Sequence, residues 1–137
     1  MAFARTAAFL LALAGTAHAQ PSGEARLAVV GDMDRVSVGQ DGYCGAMTFI
    51  EEKVRRGILV AGNARTWINM KGALHAPVAT VSCTSEISFV PRSGTSYIIR
   101  YSLLQNQCLT ELFRLVPGGK PEREDLTQEK PRSCLGS

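Results

Sequence analysis

CTSEISFVPRSGTSYIIRYSLLQNQC, residues 83–108, is the stretch whose reading decides the fold. Two runs rich in β-branched and aromatic residues are separated by Pro91, Ser93 and Gly94, the chemistry of a tight turn, so the stretch reads as a β-hairpin bracketed by cysteines. In the first run Cys83, Ile87 and Phe89 fall on one face and Thr84, Glu86 and Ser88 on the other. In the second, Tyr97, Ile99, Tyr101 and Leu103 point inward while Arg100 and Ser102 face water. Such period-two alternation marks half-buried antiparallel strands. The cysteines add a constraint. A flat meander would hold Cys83 and Cys108 about 10 Å apart, beyond disulfide reach. If they pair, their strands lie in facing sheets or meet where one enters from a loop, and a sandwich follows.

Working outward, Ala25–Val30 and Asp34–Val38 are short strand candidates separated by Gly31-Asp32, and GQDG at 39–42 is a second turn. Tyr43–Ile50 reads as extended, Glu51–Gly57 as a charged loop or single helical turn, and Ile58–Ala61 and Thr66–Met70 as strands around Gly62-Asn63. Within the last of these, Trp67 and Asn69 share one face and Thr66, Ile68 and Met70 the other. Lys71–Pro77 is expected to be a connection. On the other side Gln105–Gln107 is a tight polar link into a strand at Cys108–Val116, ended by Pro117-Gly118-Gly119. Lys120–Ser133 has Leu126 as its sole aliphatic residue, so an irregular tail is expected from about residue 117. Together these predict an all-β fold: a disulfide-braced antiparallel β-sandwich of about seven strands, the size of an immunoglobulin-like or transthyretin-like domain.

The N-terminus has the grammar of an export signal. Arg5 is followed by the apolar run Ala7–Ala14 and by Ala17-His18-Ala19, a small-x-small cleavage pattern, so residues 1–19 read as a signal peptide. About 8 apolar residues are too few for a membrane span, which needs roughly 20. Residues 20–137 then form one domain whose charge is near balance, with 15 Lys+Arg against 12 Asp+Glu in the whole chain and Arg5 removed with the signal. That is too weakly basic for nucleic acid. The densest cationic group, Lys53, Arg55 and Arg56, is preceded by Glu51 and Glu52 and reads as a solvated loop. Four cysteines, Cys44, Cys83, Cys108 and Cys134, all lie in the mature part and read as two disulfides of an oxidising compartment. Three pairings are open; Cys83 with Cys108 and Cys44 with Cys134 is preferred. By loop entropy each bridge is worth roughly 3–5 kcal/mol.

The residue inventory argues against catalysis. No Cys-x-x-Cys occurs, and His75 is the only histidine after the signal, too few for the usual zinc sets. A Cys/His or Ser/His/Asp site could use only His75, which reads as a surface loop residue, and no Gly-x-Ser-x-Gly occurs. Adjacent Glu51 and Glu52 point to opposite faces of an extended chain and make a poor acid/base couple. Met33, Met47, Met70 and His75 are too dispersed for a copper set and read as packing and surface residues. Tyr97, Tyr101 and Trp67 read first as core aromatics and second as a recognition patch for a sugar or peptide.

At VAGNARTWINM (60–70), VSCTSEISFVPRSGTSYIIRY (81–101) and QCLTELFRL (107–115) the chain resembles small uncharacterised exported or lipoprotein-like proteins of Gram-negative bacteria. The resemblance rests on Val60, Ala61, Gly62, Cys83, Phe89, Pro91, Gly94, Tyr97 and Cys108, with Tyr43-Cys44 earlier. It implies an envelope location without implying an activity. Many such proteins carry a lipid-anchoring cysteine directly after the signal, where this chain has Gln20. The expected function is therefore a non-catalytic, cofactor-free, monomeric binding or structural protein of the periplasm or medium, whose partner is a protein or an envelope component. The alternative is an inhibitor of an envelope-targeting hydrolase that inserts Lys71–Pro77 or Glu51–Gly57 into the enzyme's cleft.

Overall fold

The computed structural model describes residues 23–50, 56–104, 107–130 and 134–135. The signal segment, most of Glu51–Gly57, part of Gln105–Gln107 and Pro131–Ser133 lie outside the described residues. Ten strands occur among those described: β1 (Glu24–Gly31), β2 (Arg35–Gly39), β3 (Thr48–Phe49), β4 (Ile58–Ala61), β5 (Thr66–Ala76), β6 (Ala79–Phe89), β7 (Ser96–Leu104), β8 (Gln107–Leu115), β9 (Glu122–Glu124) and β10 (Thr127–Gln128). They form two five-stranded sheets, ordered β4-β1-β7-β8-β9 and β10-β6-β5-β2-β3. The all-β sandwich is as expected, with ten strands in place of about seven.

Alternation builds the core. Ala25, Leu27 and Val29 of β1, Tyr97, Ile99 and Tyr101 of β7 and Leu112 of β8 point inward from one sheet. They meet Val36 and Val38 of β2, Ile68 and Met70 of β5, and Ile87 and Phe89 of β6 from the other. Each large side chain so buried contributes about 1.5–3 kcal/mol, so the core outweighs the two bridges together as a source of stability. The inward set predicted for the second half of the 83–108 stretch is the set observed, Leu103 being partly buried.

The turn in that stretch is not a hairpin turn. β6 pairs with β5 and β10, whereas β7 pairs with β1 and β8, so residues 90–95 carry the chain from one sheet to the other around the buried Pro91. The hairpins are instead β5–β6, from Thr66↔Phe89 to Ala76↔Ala79, and β7–β8, from Ser96↔Leu115 to Leu104↔Gln107. Lys71–Pro77 is correspondingly no connection: all of it but Pro77 belongs to β5. The tail from 117 is not irregular throughout, since β9 adds to β8 and β10 to β6. Its scarce apolar content is offset by ion pairs, with Arg114 of β8 meeting Glu122 and Glu124 of β9, and by Leu126 packed against the core. Seven of the eight pairings are antiparallel; β1 and β7 run parallel, Leu27 beside Tyr97 and Val29 beside Ile99.

Aspartates manage the first crossing between sheets. Past Gly31, the Asp32 carboxylate accepts the Leu103 N–H at 3.2 Å, and the Asp34 carboxylate accepts the Ala73 N–H at 2.9 Å. Each side chain stands in for the carbonyl that the departing strand no longer supplies. The bridges pair as preferred. Cys83–Cys108 joins β6 to β8 in the facing sheet, Cα atoms 5.8 Å apart, which meets the constraint that the two strands not lie flat in one meander. Beside it the Ser85 and Thr110 hydroxyls bond at 2.8 Å across the same gap. Cys44–Cys134, Cα atoms 5.4 Å apart, ties the loop after β2 to the C-terminal segment.

Candidate functional site

The outward face of the β2–β5–β6 sheet is where side chains of different chemistry converge. Because alternate residues of a strand share a face, Ser37, Asn69 and Glu86 are direct cross-strand neighbours, with Trp67 two residues from Asn69 on the same side. Over them folds the loop after β2. Gln40 anchors it: its amide accepts the Ala61 N–H at 2.9 Å and donates to the Ala61 carbonyl and Thr66 Oγ1, both at 2.9 Å. Gly39 lets the loop turn back, because a Cβ there would run into the Ala46 carbonyl and the Met47 sulfur. The Cys44–Cys134 bridge closes the cap.

Between cap and sheet lies a cavity of about 210 Å³, lined by Tyr43, Met47 and Cys134 from above and by Ser37, Trp67, Asn69 and Glu86 from the strands. The Glu86 carboxylate is held at both oxygens. Asn69 Nδ2 donates to Oε1 at 2.7 Å and the Tyr43 hydroxyl donates to Oε2, lying also 3.0 Å from the Lys130 carbonyl. Among the described residues no lysine or arginine forms an ion pair with Glu86. The site is therefore a half-buried, positioned carboxylate beside an indole and a thioether.

A second feature projects from the same sheet. β2 covers β5 only as far as Lys71, and β10 covers β6 only at Ile87 and Ser88, so Gly72–Cys83 forms a two-stranded arm turning at Pro77-Val78. Two of its apolar residues face solvent, Leu74 at 56% and Val78 at 96% exposure. Its base is braced by the Ala73–Asp34 bond, by Cys83–Cys108, and by Tyr101, whose hydroxyl donates to the Cys83 carbonyl at 2.7 Å and lies 3.4 Å from Cys108 Sγ. Burial pushes the Tyr101 hydroxyl's pKa up, the charges of Asp34 and Asp32 add to this, and a hydrogen bond with the Gly72 backbone opposes it.

The sequence-nominated residues are dispersed. His75 sits exposed on the arm with Nδ1 3.2 Å from Thr80 Oγ1. Met70 is in the core, Met33 packs at its margin, and Met47 lines the cavity. Tyr97 and Tyr101 are core residues, as first read, whereas Trp67 is half-buried at the cavity. Among the described residues no three His, Cys, Asp or Glu side chains come together. Glu86 and Tyr43 carry no local motif. The available signals were the shared face of Trp67 and Asn69, and the adjacency of Tyr43 to a cysteine bridged to the tail. A search of protein families, of curated proteins and of solved structures finds nothing that matches this chain.

Proposed function

We propose that the protein is exported, loses residues 1–19, and works as a monomeric, non-catalytic binding protein of the bacterial envelope, with the capped cavity as its site. The observation that carries this reading is the positioned carboxylate: Asn69 and Tyr43 fix Glu86 beside Trp67 under a disulfide-closed cap. Recognition sites place a few polar groups against apolar walls in this way. Two disulfides are compatible with an oxidising location, and no helix among the described residues is long and apolar enough to cross a membrane. Among the described residues lining the cavity Glu86 is the one carboxylate and no histidine stands beside it, which supports binding over chemistry by a paired carboxylate or imidazole. Mass spectrometry of the secreted, unreduced protein should find Gln20 at the N-terminus. A Met47→Arg variant, which fills the cavity, should lose binding to solubilised envelope fractions while unfolding at the wild-type temperature. Unchanged binding would defeat the cavity as the site.

A second reading, inhibition of an envelope-targeting hydrolase, draws on the arm, whose exposed Leu74 and Val78 are presented on a disulfide-braced base as an inhibitory loop would be. Direct assay against cell-wall hydrolases tests it, and inhibition that survives Leu74→Asp with Val78→Asp would remove the arm from the account.

A further inference from the structure

We infer that the cavity takes a primary ammonium group on an unbranched aliphatic stem, the chemistry of a lysine side chain presented by a partner protein. This rests on the cavity being the binding site and specifies what enters it.

Size favours part of a ligand over a whole one. About 210 Å³ falls below the range of pockets that enclose a complete small molecule, so the cavity suits the tip of something larger. Charge sets its sign. Glu86 brings a negative charge, and no cation among the described lining residues offsets it, so an anion is repelled and a cation attracted. Wall chemistry selects an organic cation over a bare metal ion. One carboxylate with a thioether, an indole and a phenol offers too few hard oxygen ligands for calcium or magnesium, whereas indole and phenol faces attract ammonium groups and Met47 suits an aliphatic stem. Hydrogen bonding separates primary from quaternary ammonium. Glu86 Oε1 and Oε2 each accept one bond from within the protein, leaving lone pairs for N–H donors, and the Ser37 hydroxyl can accept as well. A quaternary group would bury these acceptors without a partner.

The test uses the chain's sole tryptophan, Trp67, which reports directly on occupancy through its fluorescence. The full mature protein is titrated with Nα-acetyl-lysine methylamide, its Nε-acetylated form and its Nε-trimethylated form, with calorimetry in parallel. The primary amine should shift the Trp67 signal saturably in the millimolar range, the acetylated form should give no saturable signal, and the trimethylated form should bind several-fold more weakly. Glu86→Gln should weaken the primary amine at least tenfold, with folding checked by its melting curve. Equal binding of the acetylated form, tighter binding of the trimethylated form, or no response to the primary amine overturns the inference, each without reliance on a variant. Failure here is distinguishable from failure of the cavity reading: envelope binding that is lost in Met47→Arg but survives acetylation of the partner's amines keeps the cavity and discards the lysine.

Discussion

Replacing Tyr101 by phenylalanine isolates the contribution of one buried hydroxyl to the base of the arm. The side chain is fully buried, its hydroxyl donates to the Cys83 carbonyl at 2.7 Å, and the Gly72 backbone also engages it. Phenylalanine keeps the ring and strips the partner from these groups. A buried polar group left unsatisfied costs about 1–3 kcal/mol. At about 2 kcal/mol the melting temperature falls by roughly 6–12 °C for a domain of this size. The pH dependence has a definite sign. Because the folded-state pKa is raised above the ordinary 10.0, the stabilisation is fully present below pH 10.0 and is lost as pH rises through the higher folded value. The variant has no such titration. The gap in melting temperature between wild type and Tyr101→Phe should thus be constant up to about pH 9 and narrow above pH 10, as followed by circular dichroism on the oxidised proteins. A gap that stays constant or widens up to pH 11 would refute the assignment of the raised pKa to the folded state.

Other perturbations address separate links of the fold. Gly31 has φ 122°, and a Cβ there would overlap the Tyr101 carbonyl, so Gly31→Ala should lose about 3 kcal/mol or more in urea unfolding; a loss below about 1 kcal/mol would mean the crossing can shift. Removing Cys44–Cys134, whose cysteines are 90 residues apart, should cost about 4–5 kcal/mol by loop entropy, against about 3–4 for Cys83–Cys108 with its separation of 25. The former alone should shift Trp67 emission to the red, since only that bridge closes the cap. A red shift in both pairs would show that the cap depends on the junction between sheets.

What was legible in the sequence was local. Tyr97, Ile99 and Tyr101 announce their inward face by simple alternation, and the preferred pairing of Cys83 with Cys108, if made, required their strands to leave a single flat sheet. What was hidden depends on partners distant in sequence. Pro91, Ser93 and Gly94 have hairpin-turn chemistry, but a corner between sheets calls for the same residues, and only the pairing of β7 with β1 tells the two apart. Gly72, His75 and Pro77 disguise the end of β5 as a connection because the arm is solvated and lacks a buried face to impose a pattern. The tail hides its strands for a related reason: β9 is fixed by Arg114 reaching Glu122 and Glu124. The cavity followed the same rule. Trp67 and Asn69 were visibly on one face, whereas Glu86 joins them only through the β5–β6 register and Tyr43 only through the bridge.

The place of β1 in its sheet also sets a timetable. The strand lies between β4 and β7, whose residues begin at positions 58 and 96. A chain emerging N-terminus first, from a ribosome or through a translocation pore, delivers Leu27 and Val29 long before Tyr97 and Ile99 arrive beside them. Pairings between such distant segments slow folding, because a long loop must close before any contact repays it. Until Ser96–Leu104 has emerged, the β1 backbone has an open edge and its sheet lacks Tyr97, Ile99 and Tyr101, the largest part of its inward face. The fold is thereby postponed until most of the chain has emerged, and the segment stays threadable for as long as its passage takes.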